Sequence, residues 1–325
     1  MRKITFRQAL QEAMSEEMRR DSQIFLMGEE VAEYNGAYKV SQGMLTEFGS
    51  KRVIDTPISE LGFAGLGVGA AMNGLRPIIE FMTFNFSLVA IDQVINSAAK
   101  MMSMSGGQFS VPIVFRGPTG NAGMLSSQHS QNFENWYANC PGLKVVVPSN
   151  PYDAKGLLKA SIQDEDPVIF MESELMYGDI GEVPDEPYML ELGKAHVAKQ
   201  GKDVTLVSFG KMMKLAWEAI QKLNEEGVDV TLIDMRTIRP LDISTIIQSV
   251  KVTNRLVILE EAWPLASIAS EIAYQVQKNA FDHLDAPILK INSADVPLPY
   301  APTLIQEALP SVEKIIQAIH AVLYQ

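Results

Sequence analysis

Three acidic residues and one histidine carry most of the chemistry open to this sequence. Glu60 heads the run ELGFAGLGVGAAMNG, small and apolar almost throughout, just after the turn-forming Thr56-Pro57 pair. Residues of that kind allow close backbone approach. A carboxyl leading into such a run loses water and holds its proton more tightly unless a partner donates to it. Glu60 is therefore a candidate for proton-linked catalysis, although a Glu at a helix start is also an ordinary capping residue. Glu29 and Glu30 follow the short apolar run Ile24–Met27, and in open α/β sheets ligands collect beyond the carboxyl ends of strands. A solvated turn has the same composition. His129, in SSQHSQ, is flanked by hydroxyls and amides, which suits proton transfer better than the settings of His196, His283 or His320.

Other groupings are open to two readings. Phe81, Phe84 and Phe86, with Met82 between them, form either an apolar wall for a heteroaromatic ring or part of the core. The turn Gln163-Asp164-Glu165-Asp166 places acid at the end of an expected helix, where the helix dipole opposes it. A bound cation with carbonyl and carboxylate ligands would relieve that repulsion, and so would plain solvation. Cys140 reads as a small buried thiol, because nothing in the spacing fixes it beside His129 as a nucleophile.

Missing motifs narrow the chemistry further. The sequence has no GxxxxGK[ST] loop, no His/Cys metal spacing and no G-x-S-x-G elbow. Gly65-Leu66-Gly67-Val68-Gly69 lacks the third glycine of a dinucleotide site and follows no apolar strand. What remains is a carboxylate beside aromatic rings without a phosphate cradle, which is half of a site.

The elements that position these groups alternate. A length of 325 residues with 47% hydrophobic content suits two domains, each with its own core. A net charge of −12 argues against nucleic acid and against anionic membrane surfaces. The run Leu61–Met72 is too short to span a bilayer, and MRKITFRQAL has no signal-peptide core, so a soluble protein is expected. A single cysteine excludes an internal disulfide and fits a reducing compartment.

Thr5 and Gln8 form a capping box for a first helix reaching about Arg20. Strands are expected at 24–27, 76–82, 111–115, 144–147 and 167–171, with helices at 87–102 and 151–163, the latter opened by Asn150-Pro151. Residues 34–51 read as irregular, and 116–135 as a long loop suited to binding groups. The stretch 172–194 reads as a linker. Beyond it, strands near 203–208, 229–235, 255–260 and 287–292 alternate with helices near 211–226, 242–250 and 266–280, and a last helix follows Ser311. The pattern implies α/β architecture with parallel, doubly wound sheets.

Several long runs resemble one family. GEEVAEYNGAYKVSQGM, DTPISELGFAGLGVGAAMNGLRPIIEFMTFNFSLVAIDQVINSAAK, SGG, VPIVFRGP, QHSQ, CPGLKVVVPSNPYDAKGLLKASI and ELMYG are similar to the beta subunits of the decarboxylating component of pyruvate dehydrogenase complexes, within the thiamine diphosphate-dependent 2-oxo acid dehydrogenases. The resemblance spans essentially the whole chain. It implies two open doubly wound α/β domains: a thiamine diphosphate pyrimidine-binding domain over 1–185 and a transketolase C-terminal-like domain over 195–325. It also implies a heterotetramer of two alpha and two beta chains. The alpha subunit of this family carries a GDG-type motif that holds the diphosphate through Mg2+, and this chain has none, as a half-site requires.

By the same resemblance Glu60 faces N1′ of the aminopyrimidine and controls its tautomer, while Phe86 packs on that ring, Ile58 and Met82 line its pocket and Glu29 lies close by. His129 matches the histidine that serves protonation steps and receives the lipoyl arm of the dihydrolipoyl acetyltransferase. A structural K+ is implied at Ile113, Ser161, Ile162, Asp164 and Asp166, the first three through backbone carbonyls. Pyruvate is the implied substrate, with branched-chain 2-oxo acid and acetoin dehydrogenases as alternatives of the same class. A non-catalytic docking subunit is the alternative from another class. A bacterial cytoplasm, or an organelle matrix or stroma, is the implied location.

Overall fold

The computed structural model describes residues 1–324. They form two compact units, one of Met1–Thr119 with Trp136–Leu192, the other of Gly120–Asn135 with the residues from Gly193 onward.

The first unit is built on six parallel strands in the order Lys144–Val146, Val168–Glu172, Val114–Pro118, Arg76–Glu80, Ile24–Gly28 and Val53–Asp55. Their central residues, Ile78, Ile79, Val114, Phe115, Ile169 and Phe170, are fully buried, as continuous apolar runs covered on both faces must be. The register sets Gly28, Glu80 and Arg116 side by side on neighbouring strands. The Thr5–Gln8 capping box is present at the start of helix Phe6–Arg20. This helix packs on Pro151–Gln163, where the Asn150 side chain accepts from the Asp153 N–H at 2.9 Å. Leu10, Met14, Leu157 and Leu158 fill the space between them.

The glycine-rich run is a helix, Glu60–Met72, in spite of its low propensity. Tertiary packing decides the matter. A Cβ on Gly67 would lie 2.7 Å from Ile79 Cδ1, so only glycine lets this helix sit so close to the sheet.

Four expectations need correction. The helix expected at 87–102 changes its winding, from 3-10 at Phe86–Ala90 through π at Gln93–Ala98 to α at Met101–Met104. The Ser87 hydroxyl donates to the Phe84 carbonyl at 2.6 Å, a local bond that favours a tight first turn. The strand expected at 111–115 lies at Val114–Pro118, because Pro112 has no N–H to give a ladder. A short helix, Met44–Phe48, interrupts the stretch expected to be irregular. The stretch 172–194 is largely not a linker. Ile180–Val183 pairs antiparallel with Arg2–Thr5, Tyr188 stacks on Tyr152 at 4.7 Å, and Leu190 donates to the Gly156 carbonyl at 3.2 Å. Partners so distant in sequence leave no local periodicity.

The second unit has a five-stranded sheet in the order Leu289–Ile291, Leu256–Leu259, Val204–Ser208, Val230–Asp234 and His196–Lys199. The first four strands are parallel, and the edge strand His196–Lys199 runs antiparallel. Helices Met212–Glu225, Ile243–Thr253, Ile268–Ala280 and Val312–Leu323 follow its strands. Among the described residues no helix is long and apolar enough to cross a membrane.

Candidate active site

In the first unit the sheet and the glycine-rich helix bring two carboxyls together. Strand Ile24–Gly28 ends at Gly28, whose backbone lies so near Glu80 that a Cβ would sit 2.6 Å from the Glu80 carbonyl oxygen. Glu29 comes next and is buried, as is Glu60 at the first position of its helix. The two are close enough for each to act on the other's proton. Burial pushes the Glu29 carboxyl up to about 7, and its neighbours Glu60 and Glu80 add to the shift. Glu29 therefore gains and loses its proton near neutrality, beside Glu60. Glu29 Oε1 is buried without a hydrogen-bond partner, an atom a polar ligand can satisfy. The loop beyond Glu29 is held by Asp55, which accepts from the N–H groups of Ala32 and Glu33 at 2.7 and 3.1 Å.

The aromatic cluster divides. Phe81 and Phe84 are core residues: Phe81 stacks on Phe115 at 5.8 Å, and Phe84 meets Tyr137 edge-on at 5.9 Å. Phe86 and Met82 are only half-buried, and Ile58 is 84% exposed. Leu61 and Leu66, on the helix of Glu60, are exposed as well. That helix packs against the turn Phe86–Ala90, so the elements bearing the acid pair and Phe86 are neighbours.

Beneath the acid pair lies a charged group not foreseen from the sequence. Arg116 is 1% exposed and donates to both Glu80 and Glu172, to Glu172 Oε1 at 2.6 Å. The Tyr177 hydroxyl donates to Glu172 at 2.7 Å, and the Tyr38 hydroxyl donates to Glu174. Burial raises the Glu80 carboxyl, and the Arg116 charge opposes that shift. The available signal was a single charge at the end of each of three apolar strands, in IIEF, VFRG and FMES.

His129 lies on the short turn Ser127–His129, is exposed, and belongs with the second unit. Cys140 is buried, with Lys100 Nζ 3.1 Å from its sulfur.

The acidic turn after Pro151–Gln163 is neutralised in part by protein cations. Lys144 reaches Asp164 at 2.7 Å and Asp166 at 3.1 Å, while Arg76 reaches Glu165 at 2.7 Å and the carbonyls of Ile162 and Asp164 at 3.1 and 2.7 Å. The carbonyls of Ile113 and Ser161 each accept one backbone N–H, from Val168 and Asp164. Every one of these oxygens keeps a second lone pair. Three carboxylates against two cations leave one negative charge over. Among the described residues no group of three His, Cys, Asp or Glu side chains could hold a metal.

Comparison with known proteins accords with the two-unit architecture. Residues 2–179 match the family model described as transketolase, pyrimidine binding domain, and residues 193–315 match transketolase, C-terminal domain. A solved split-gene transketolase, described as an inactive beta4 tetramer, superposes with a TM-score of 0.82 over 99% of this chain and 98% of its own, at 20% identity, a likeness of fold. The pyruvate dehydrogenase E1 component subunit beta of Rhizobium meliloti (strain 1021) is 58% identical over 100% of this chain and 71% of its own length. The protein of the same name from Rickettsia felis is 54% identical, covering 99% and 98%. The mitochondrial one from Caenorhabditis elegans is 53% identical, covering 97% and 91%. With two transketolase-type domains and such relatives along its whole length, the chain belongs to the family of pyruvate dehydrogenase E1 component beta subunits.

Proposed function

We propose that this chain is the beta half of pyruvate dehydrogenase (acetyl-transferring), which decarboxylates pyruvate oxidatively and passes the acetyl group to the lipoyl arm of a dihydrolipoyl acetyltransferase. The observation that carries the reading is the buried, adjacent pair Glu29 and Glu60 at the start of a helix with exposed apolar neighbours. Two carboxyls holding one proton form a proton-exchanging surface, and Ile58, Met82 and Phe86 supply apolar material for a flat ring. The orphaned Glu29 Oε1 is a further polar contact for such a ring.

Thiamine diphosphate, when bound, supplies the carbanion chemistry at the 2-oxo carbon. Glu60 would face the aminopyrimidine and exchange a proton with it, and Glu29 beside it would be the buried acid that supplies and takes back that proton. His129 holds a proton for the acetyl-transfer steps. The diphosphate and its Mg2+ belong to the alpha subunit of a heterotetramer, because this sequence has no cradle for them. K+ suits the oxygens of Ile113, Ser161, Ile162, Asp164 and Asp166 through the surplus negative charge there. A bacterial cytoplasm or an organelle matrix suits a chain with one buried thiol.

The test is Glu60→Gln in the reconstituted heterotetramer. Turnover of pyruvate is expected to fall by about a hundredfold or more with assembly intact, since an amide cannot exchange the proton. Near wild-type turnover sinks the reading. Calorimetry of the chain without its alpha partner is expected to show poor thiamine diphosphate binding, and tight binding there removes the half-site.

A further inference from the structure

We propose that Lys211 and Glu261 form a largely buried clasp that fixes the His129-bearing segment Gly120–Asn135 on the second unit, which makes both of them positioning residues for acetyl transfer. The role of His129 is that of the proposed function, and the clasp rests on it.

The clasp grips the segment by its backbone. Glu261, at the end of strand Leu256–Leu259, accepts from the Asn121 N–H at 2.6 Å. Lys211, at the start of helix Met212–Glu225, donates to the Asn121 carbonyl at 2.6 Å. Lys211 and Glu261 themselves approach to 2.6 Å. Both backbone groups of one loop residue are thus held by the two members of one ion pair. The Glu261 carbonyl is itself anchored, accepting from the Ser293 hydroxyl.

Neighbouring contacts leave this segment little freedom. The Gly120 N–H donates to the Gln131 carbonyl at 3.0 Å, which closes the base of the loop around the turn that bears His129. Gly120 has φ +76°, and a Cβ there would lie 2.8 Å from Asn132 Oδ1 and 2.9 Å from Glu261 Oε1. At the far end Asn135 Nδ2 donates to the Ala266 carbonyl at 3.0 Å. Ser130 and Asn132 face Glu261, Trp263 and Ser293 across a cavity of about 20 Å³, room for one water.

The charges around the clasp favour a single pairing. Glu134 is buried, and burial pushes its carboxyl up to about 8, with Glu261 and Glu260 adding to the rise and Lys211 opposing it. Near neutrality Glu134 is uncharged and leaves Lys211 to Glu261. Burying an ion pair costs desolvation that its attraction seldom returns in stability. A pair spent on the backbone of one loop residue therefore acts on loop geometry, where a displacement of about 1 Å in a reacting group can cost a hundredfold in rate.

The experiment uses the reconstituted heterotetramer with Lys211→Met, Glu261→Gln, the two combined, and Lys211→Arg. Amide hydrogen exchange of residues 121–135 reads loop order, and two rates read function: dye-linked oxidation of pyruvate, and acetylation of an isolated lipoyl domain. The double variant leaves no unpaired buried charge and is the one to rely on if a single variant fails to fold. Expected are exchange in that segment faster by about tenfold or more, a kcat for lipoyl acetylation lower by about tenfold with KM nearly constant, a dye-linked rate within about twofold, and substantial recovery in Lys211→Arg. Unchanged exchange and unchanged acetylation in the double variant overturn the clasp. An equal fall in both rates with a lower melting temperature overturns it as well, since that marks a merely structural pair. His129→Ala is the control for the underlying reading: if it leaves acetylation untouched, His129 has no part in transfer, while the exchange data still decide whether the clasp orders the loop.

Discussion

Glu29 lies buried beside Glu60 where the strand Ile24–Gly28 has just ended and the glycine-rich helix begins. Neither residue could occupy this place as a charged group beside another without cost, and the shared proton removes one charge.

The pair should therefore appear in the pH dependence of kcat/KM. Glu29 is raised from 4.5 to about 7, so it keeps its proton below neutrality and loses it above. The stability this group contributes is complete below its ordinary pKa and is lost as pH rises through about 7. We expect kcat/KM for pyruvate in the heterotetramer to decline on the alkaline side with an apparent pKa near that value, and Glu29→Gln to abolish the limb. A limb that persists unchanged in the variant assigns it to another group.

How much of this arrangement was legible in the sequence depended on the range of the interactions. The capping box at Thr5 and Gln8, the Asn150-Pro151 helix start and most of the apolar strands are set by neighbours a few residues away and lie where their patterns indicated, the strand displaced to Val114–Pro118 excepted. Glu60 was legible as a carboxyl entering a small-residue run. Its pairing with Glu29 was not, because the fold rather than sequence spacing brings residue 29 to residue 60. The strand pairing of Ile180–Val183 with Arg2–Thr5 and the passage of Gly120–Asn135 into the second unit were hidden for the same reason. The acidic turn at 163–166 was legible as an electrostatic problem, yet its partial answer, Lys144 and Arg76, lies on other strands.

Arg116 gives a prediction about stability. It is buried between Glu80 and Glu172, and the Tyr177 hydroxyl completes the group. Removing the one cation strands two carboxylates in the core. Arg116→Met should destabilise the chain by about 3–5 kcal/mol, measured as a lower denaturant midpoint for the first unit. Replacing Glu80 and Glu172 by Gln in the same chain should recover much of that loss, because no charge then remains buried. An Arg116→Met chain as stable as the wild type shows that solvent reaches the site.

The turn Asp164-Glu165-Asp166 supplies the last prediction. Lys144 and Arg76 cancel two of its three charges, and the carbonyls of Ile113, Ser161 and Ile162 each keep a free lone pair nearby. A hard monovalent cation would answer both the surplus charge and the oxygens, whereas tetramethylammonium presents only methyl groups to such ligands. A ligand that binds only the folded chain raises its melting temperature by mass action. Thermal unfolding in potassium chloride should therefore lie above that in tetramethylammonium chloride of equal ionic strength, by roughly 2 °C or more, the shift that about 1 kcal/mol gives in domains of this size. Equal ionic strength cancels ordinary screening of surface charge, so a difference reports a specific ion. Coincident melting curves in the two salts show that Lys144 and Arg76 suffice, with no potassium needed at these residues.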